Sequence, residues 1–163
     1  MTTLPFAPAK VCMDPPVADA GDVLRTLAGI LAESTGLSAE TIAEALQSRE
    51  AQGSTGIGHG VALPHARLEG VQQTAIAALR TAQGIPFSAP DGVVVHLFIA
   101  VVVPKAAAIT HLETLSTLAA RLAADDVREG LLKARNSAEF FRLLTNPASL
   151  VPPIRLRAAV SAR

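Results

Sequence analysis

The sequence feature that most constrains the fold is an apolar run, VVVHLFIAVVV, over residues 93–103. His96 interrupts the run and Pro104 follows it, so it falls well short of the ~20 apolar residues that a membrane-crossing helix needs. A short, near-continuous run of β-branched residues is typical of a central strand that is covered on both faces. We therefore predict an α/β domain, a three-layer α/β/α sandwich with helices on both sides of a central apolar sheet.

The residues around this run alternate between strand and helix patterns, which supports that class. Gly36 is a plausible stop for the first helix and Ser38 a good N-cap for the second. Residues 1–8 and 147–163 are predicted to be flexible ends of a single domain at 9–146. The predicted elements are strands at 9–13, 61–63 and 74–80, a helix at 22–34, a helix that follows Ser38, and helices at 110–124, 127–134 and 137–145.

Composition excludes several classes of function. The 14 basic and 14 acidic side chains give a formal net charge of +0, so no global field attracts nucleic acid or an anionic membrane. The chain has no Trp or Tyr and 5 Phe, which leaves few platforms on which bases could stack. Cys12 is the single cysteine and the N-terminus does not resemble a leader peptide. We expect a soluble protein of the cytoplasm.

Among the histidines, His65 has the context most suggestive of chemistry. Residues 61–63 are predicted as a strand that Pro64 ends, which would place His65 at the carboxyl edge of the sheet, where α/β domains carry their sites. The preceding glycine-rich loop, GSTGIGHG at 53–60, could offer backbone N–H groups to an anion, and Arg67 adds positive charge. A surface-loop histidine without a function fits the local pattern equally well.

Two further residues could reach an anion held at His65. Thr110 and Glu113 form a capping-box pattern that places His111 in the first turn of a helix, where N–H groups and the helix dipole favour anions. Arg49 lies on the inward face of the second helix, and its planar guanidinium suits a phosphate group. The structural alternatives are a helix-start residue for His111 and a salt bridge for Arg49.

The other motifs give weaker evidence of a functional site. His96 is interpreted as a core or edge histidine that one hydrogen bond satisfies. A metal site made of His59, His65 and His111 is conceivable, but no HExxH motif or Cys/Asp cluster supports it. The glycines match neither the dinucleotide fingerprint nor the phosphate-binding P-loop. We expect no metal and no organic cofactor.

Several motifs in the right order resemble one known family. Residues 53–67, GSTGIGHGVALPHAR, are similar to the IIA components of the bacterial phosphoenolpyruvate-dependent phosphotransferase system, in the fructose–mannitol and nitrogen-regulatory class. Similar segments are SRE at 48–50, PDGVVVHLFIAVVVP at 90–104 and THLETLSTLAARLA at 110–123. The resemblance covers about residues 9–145. It implies a phosphotransferase, a IIA-type phosphocarrier domain whose mixed sheet is flanked by helices.

The resemblance also implies roles for individual residues. His65 would accept a phosphoryl group, at Nε2 as in the mannitol proteins, while His111 assists and Arg49 stabilises the phosphate. The donor would be a small HPr-type phosphocarrier protein, which would dock on a shallow apolar patch around His65. The acceptor would be a IIB component or a regulatory target protein.

Three functions follow from this resemblance. A nitrogen-regulatory protein is favoured by a freestanding chain without a fused IIB or IIC segment. A sugar-specific IIA component for fructose or mannitol uptake is the second. The third, an interaction module that has lost phosphotransfer, is disfavoured by the intact His65, His111 and Arg49. The oligomeric state is left open, a homodimer through exposed sheet edges included.

Overall fold

The computed structural model describes Leu4 and residues 6–146 of the chain. Within these residues the strands form one sheet and helices cover both of its faces. The strands are β1 Val11–Met13, β2 Gly56–Gly58, β3 Val61–Ala62, β4 His65–Leu68, β5 Ala75–Ile85 and β6 Val95–Pro104. The helices are α1 Ala20–Thr35, α2 Ala39–Ala51, α3 Ala108–Leu122, α4 Asp125–Lys133 and α5 Ser137–Thr145, and a short 3-10 turn, Pro8–Lys10, precedes β1.

The sheet is mixed, and β6 lies at its centre. The strand order is β1-β5-β6-β3-β2, and β4 also pairs with β6. β5 runs antiparallel to β6, whereas β3 and β4 run parallel to it. The apolar run therefore forms the central strand, as its composition predicts. The strand begins at Val95, and the first two residues of the run, Val93 and Val94, lie outside it and are exposed.

Alternate residues of β6 enter two separate cores, because successive side chains of a strand point to opposite faces. Phe98 and Val102 pack in the core that α1 and α2 cover. Ile99 and Val101 pack in the core that α3, α4 and α5 cover. The predicted three-layer α/β/α arrangement is confirmed.

The ends of the first two helices follow their capping signals. Gly36 ends α1 in the left-handed conformation at φ 73°, which a residue without Cβ adopts readily. Ser38 caps α2 by accepting a hydrogen bond from the Thr41 N–H. The predicted stop and the predicted N-cap are both confirmed.

The start of α3 differs from its prediction. The helix begins at Ala108, so Thr110 lies inside it and does not act as the N-cap. Ala107 occupies the N-cap position, and no side chain in the described part of the chain caps it. The capping-box prediction was wrong because the alanines before Thr110, which favour helix strongly, extend the helix backwards. His111 still lies near the helix start, and its N–H bonds to the Ala107 carbonyl at 3.0 Å.

The predicted glycine-rich loop is a β-hairpin. Gly56–Gly58 pairs antiparallel with β3, and the turn at Gly58, His59 and Gly60 has positive φ angles of 87°, 56° and 76°. Gly56 has no room for a side chain, because a Cβ there would lie 2.9 Å from the Ala89 Cβ. These glycines therefore serve the turn and the packing of the hairpin.

Pro64 interrupts a strand but does not end it. β4 begins at His65 and continues parallel to β6, with His65 opposite Val101. Pro64 has no N–H to donate, yet its carbonyl accepts a hydrogen bond of 2.9 Å from the Val101 N–H. His65 is consequently the first residue of a new strand segment, and the prediction that it lies at the carboxyl edge of the sheet was wrong.

The two ends of the chain are described in part. Leu4 is buried and the Phe6 ring lies 5.3 Å from the ring of Phe141, centroid to centroid. Residues 1–3 and 5, and the predicted flexible tail at 147–163, lie outside the described residues. Over the residues that the structure covers, no helix has both the length and the apolar character that a membrane crossing needs.

Candidate functional site

His65 is held in one orientation by the main chain just before it. Its Nδ1 lies 2.8 Å from the carbonyl oxygen of Leu63. A carbonyl can only accept a hydrogen bond, so Nδ1 carries the proton and donates it. In the neutral ring the lone pair is then on Nε2. The residue is half-buried, and its backbone fixes which nitrogen can react.

The surroundings of His65 keep its ring neutral. Burial and the nearby Arg49 charge lower the pKa of His65 below its usual value, while the Leu63 carbonyl and the Glu50 carboxylate oppose that shift. A ring with a lowered pKa keeps its Nε2 lone pair at neutral pH. Such a ring can act as a nucleophile, whereas a protonated one cannot.

His111 lies beside His65 on the first turns of α3. The two ring centroids are 5.0 Å apart and the ring planes meet at 53°. Burial lowers the pKa of His111, and the charges of His65, Arg67 and Arg49 lower it further. Its buried Nδ1 has no hydrogen-bond partner among the described residues. Because a buried N–H without an acceptor is rarer than an unused acceptor, we infer that the proton is on Nε2.

Arg49 is anchored by one end of its guanidinium. It lies in the last turn of α2, where its Nη1 donates a hydrogen bond of 2.8 Å to the carbonyl of Gly53. No carboxylate of the described residues forms a salt bridge with it, so the predicted structural alternative does not occur there. The remaining donors are available to an anion, with the planar geometry that phosphate oxygens match.

His65, His111 and Arg49 meet in one open cleft of about 630 Å³. The structure thus brings together the three residues that the sequence singles out. No aspartate or glutamate is among the described residues that line the cleft, so its charge is positive. Its walls are formed by Ala45, Ser48, Arg49, Gln52, His65, Ala66, Arg67, Ala108, His111 and Leu112.

A second hollow of about 320 Å³ adjoins the cleft and shares His65 and Arg49 with it. The other walls come from the β2–β3 hairpin and from α3, and include Ile57 and Leu115. The hairpin N–H groups are less free than the sequence suggests, because the His59 N–H bonds to the Asp91 carboxylate at 2.8 Å. The hairpin therefore shapes the surface beside His65.

The sequence predicts an apolar patch around His65 without naming its residues, and it misses the contacts of Glu50. Leu112 in the cleft and Ile57 in the second hollow are exposed at 64% and 42% of their surface, and Ile109, one turn before Leu112 on α3, is exposed at 76%. Glu50, which the periodicity turns away from the site, accepts hydrogen bonds from Thr55 in the turn after α2. The apolar residues at 109 and 112, three apart and therefore neighbours on the surface of α3, were the available sequence signal for the apolar rim.

The remaining histidines lie apart from the cleft. His96 donates one hydrogen bond of 3.0 Å from Nδ1 to the Thr81 carbonyl, as predicted for a core or edge histidine that one hydrogen bond satisfies. His59 lies in the exposed hairpin turn. Among the described residues no group of three His, Cys, Asp or Glu side chains is close enough to hold a metal ion.

Comparisons with known proteins agree with this geometry. Residues 5–146 match the family model described as "Phosphoenolpyruvate-dependent sugar phosphotransferase system, EIIA 2". The chain is 36% identical over 142 residues to "Nitrogen regulatory protein" of Pseudomonas aeruginosa, which covers 86% of this chain and 92% of that protein. It is 40% identical over 93 residues to "PTS system fructose-specific EIIA component" of Haloferax volcanii, covering 57% of this chain and 60% of that protein.

Solved structures show the same fold. The nitrogen regulatory protein IIA-Ntr of Neisseria meningitidis superposes with a TM-score of 0.82 at 35% identity, over 85% of this chain and 95% of that one. The mannitol IIA protein of Escherichia coli superposes with a TM-score of 0.73 at 20% identity, over 85% and 98%. The family model covers nearly all of the described residues and the Pseudomonas protein is similar along most of its length, so the chain belongs to the EIIA 2 family of the phosphoenolpyruvate-dependent sugar phosphotransferase system.

Proposed function

We propose that the protein carries a phosphoryl group on Nε2 of His65, accepted from a phosphohistidine of an HPr-type protein. The observation that carries this proposal is the hydrogen bond between His65 Nδ1 and the Leu63 carbonyl. It leaves Nε2 as the ring nitrogen whose lone pair can react, in a cleft that Arg49 and His111 also line. Family membership supports the same chemistry.

The step is a direct displacement at phosphorus. The Nε2 lone pair forms a bond to phosphorus while the phosphorus–nitrogen bond of the donor breaks, and its electron pair returns to the donor ring. Positioning and charge stabilisation dominate such a transfer. Arg49 and the Nε2–H of His111 are the groups that would hold the phosphoryl oxygens, and the positive cleft favours their negative charge.

The rim of the cleft suits a protein donor. Leu112 lines the cleft and Ile57 the adjoining hollow with exposed apolar side chains, and the exposed Ile109 lies one helical turn before Leu112. Contiguous exposed apolar side chains around a polar centre are typical of a transient docking surface. A partner that seats on this rim would exclude water from the phosphoryl group during transfer.

The nitrogen-regulatory role is the one we propose first. The Pseudomonas relative is similar over 86% of this chain, whereas the Haloferax fructose-specific relative is similar over 57%. A sugar-specific role is the second candidate, since that shorter match has the higher identity, 40%. In that role the acceptor would be a IIB component, as in the solved complex of the E. coli mannitol IIA protein with phosphorylated IIB.

A labelling experiment tests the carrier function. The protein is incubated with labelled phosphoenolpyruvate, Enzyme I and an HPr-type donor, and the label is followed on wild type, His65→Ala and the remote control His96→Ala. We expect label that is stable to alkali and lost in acid on wild type and His96→Ala, and none on His65→Ala. An unlabelled wild-type protein would identify it as an interaction module instead.

A second incubation separates the two carrier roles. Labelled protein is mixed with purified IIB domains of the fructose and mannitol type. Retention of the label on His65 supports the regulatory role, while rapid transfer to one IIB domain supports a sugar-specific one.

A further inference from the structure

We propose that Glu50 is the positioning residue of this site, one carboxylate that orders both Arg49 and His65 through the turn at residues 53–55. This inference rests on the proposed function of His65. Glu50 does not line the cleft and does not touch the reacting atoms. It acts through main-chain groups that lie between it and the two side chains.

The Glu50 carboxylate accepts three hydrogen bonds from Thr55. The Thr55 N–H lies 3.0 Å from Oε1 and 3.1 Å from Oε2 of Glu50, and the Thr55 hydroxyl donates to Oε2 at 2.5 Å. Thr55 is buried, with 5% of its surface exposed. Hydrogen bonds to an ionised acceptor are stronger than neutral ones, so this contact fixes the turn that follows α2.

One branch of the network leads to Arg49. The Gly53 N–H bonds to the Glu50 carbonyl at 3.2 Å, which folds the turn back on the end of α2. The Gly53 carbonyl then accepts the hydrogen bond from Arg49 Nη1 at 2.8 Å. Gly53 lies in the turn between Glu50 and Thr55, which the Glu50 carboxylate connects. Without that connection the turn would be less ordered, and the Gly53 carbonyl would no longer hold the guanidinium in place.

The other branch leads to His65. The Thr55 carbonyl accepts a hydrogen bond of 3.0 Å from the Leu63 N–H. The Leu63 carbonyl in turn accepts from His65 Nδ1 at 2.8 Å. The carbonyl that selects the ring tautomer is therefore held in place by a residue that Glu50 holds.

The charge of Glu50 has a separate effect on His65. It raises the pKa of the ring, against the larger lowering that burial causes. A phosphorylated ring that keeps its Nδ1–H is cationic, and a nearby carboxylate stabilises that form. Loss of the charge and loss of the geometry can thus be measured separately.

The test compares Glu50→Gln with Glu44→Gln, a control on the exposed face of the same helix. The glutamine NH₂ cannot accept from the Thr55 N–H, and the variant lacks the charge. We expect Glu50→Gln to slow phosphoryl acceptance from the HPr-type donor about 10–100-fold, the usual effect of removing a supporting hydrogen bond in a catalytic site. Nitrogen-15 NMR of His65 should show a titration midpoint at lower pH and a weaker preference for the Nδ1–H tautomer. Glu44→Gln should match wild type in all three measurements.

Thr55 provides a second pair of variants in case Glu50→Gln does not fold. Thr55→Val removes the hydroxyl but leaves the Glu50 charge and the Thr55 N–H contacts in place. We expect transfer about 3- to 10-fold slower with Thr55→Val, since one charge-assisted hydrogen bond is lost, and wild-type behaviour with Thr55→Ser.

The outcomes distinguish the two proposals. If wild type accepts phosphate but a folded Glu50→Gln keeps its rate, tautomer and titration midpoint, Glu50 is not a positioning residue. If wild type accepts none, the carrier function fails, while the NMR comparison of the unphosphorylated proteins still decides whether Glu50 orients His65.

Discussion

Two histidines on the same sheet, His65 in the candidate site and His96 outside it, differ in their surroundings. His65 lies opposite Val101, whereas His96 lies five residues before Val101, about 17 Å away along β6 at about 3.3 Å per residue. Each ring places Nδ1 against a backbone carbonyl, at 2.8 Å from Leu63 and 3.0 Å from Thr81. Both rings are held by the same kind of hydrogen bond, so any difference in their chemistry must come from the neighbouring residues.

The arginine beside each ring supplies that difference. Arg80, near His96, donates from Nη1 to the carbonyls of Leu131, Leu132 and Ala134, and from Nε and Nη2 to Asp14. Every nitrogen of its guanidinium is thus occupied, Nη1 at the end of α4 and the other two at Asp14. Arg49 has one such contact and faces a cleft without carboxylates. The proposed carrier function therefore depends on unused guanidinium donors next to a neutral ring, which His65 has beside it and His96 lacks.

Arg49→Ala should have the larger effect on chemistry. Removing one preorganised group that stabilises developing charge costs about 10²–10³ in rate. We expect phosphoryl acceptance to slow by that factor, with a thermal melting temperature close to that of wild type because Arg49 has no buried partner. Rapid-quench labelling and a melting curve measure both. A wild-type rate would make Arg49 a structural residue and remove the contrast with Arg80.

Arg80→Ala should have the opposite profile. The substitution leaves three carbonyls at the end of α4 without their Arg80 donor. It also breaks the ion pair with Asp14, whose pKa the Arg80 hydrogen bond lowers. We expect a loss of about 2–4 kcal/mol in the free energy of unfolding, measured by urea denaturation, and an unchanged labelling rate per folded molecule. A slow but stable variant would mean that the two ends of the sheet are coupled.

The apolar rim offers a weaker contrast. Leu112 and Leu132 are both exposed helix residues, at 64% and 46%, but only Leu112 lines the His65 cleft. We expect Leu112→Ser to raise the KM for the HPr-type donor about 3- to 10-fold, as for a moderate interface contact, and to leave the maximal rate close to wild type. Leu132→Ser is the matched control and should change neither. Equal KM values for the two variants would exclude the rim as the donor surface.

The smallest expected effect is on stability against pH. Burial lowers the pKa of both His65 and His111 from the usual 6.5. The unfolded chain therefore binds protons at a pH where the folded chain does not, so stability is complete above about pH 6.5 and falls as pH drops below it. Urea unfolding between pH 8 and 5 should show this slope, reduced in a His65→Gln/His111→Gln protein. An identical slope in that variant would show that both rings titrate as in the unfolded chain.

Local patterns predicted much of this molecule. α5 begins and ends at the predicted residues 137 and 145, and Gly36 and Ser38 mark helix ends as expected, because caps depend on neighbouring residues. The start of α3 was missed because Thr110 competes with a preceding run of alanines that continues the helix. The strand predicted at 61–63 corresponds to β3, but β4 was missed because the parallel neighbour β6 pairs with the chain on both sides of Pro64.

The site was predictable to the extent that its residues lie at recognisable ends of elements. His65 follows a proline, His111 lies in the first turn of α3 and Arg49 in the last turn of α2, so each could be found from local sequence. Glu50 could not, because periodicity places its Cα on the helix but the contact with Thr55 depends on a turn. Arg80 was missed for a related reason, since its acceptors lie more than 50 residues away.

The break at Pro64 has a consequence for how this chemistry can drift during evolution. The group that fixes the tautomer of His65 is the carbonyl oxygen of Leu63, which belongs to the main chain and is present whatever side chain occupies that position. In the proposed function the choice of ring nitrogen is therefore set by the main chain, and ordinary substitutions at position 63 are expected to leave it intact. A substitution that allows β3 and β4 to join into one continuous strand, such as Pro64→Val, is instead expected to remove the contact between Leu63 and His65 while making the sheet more regular.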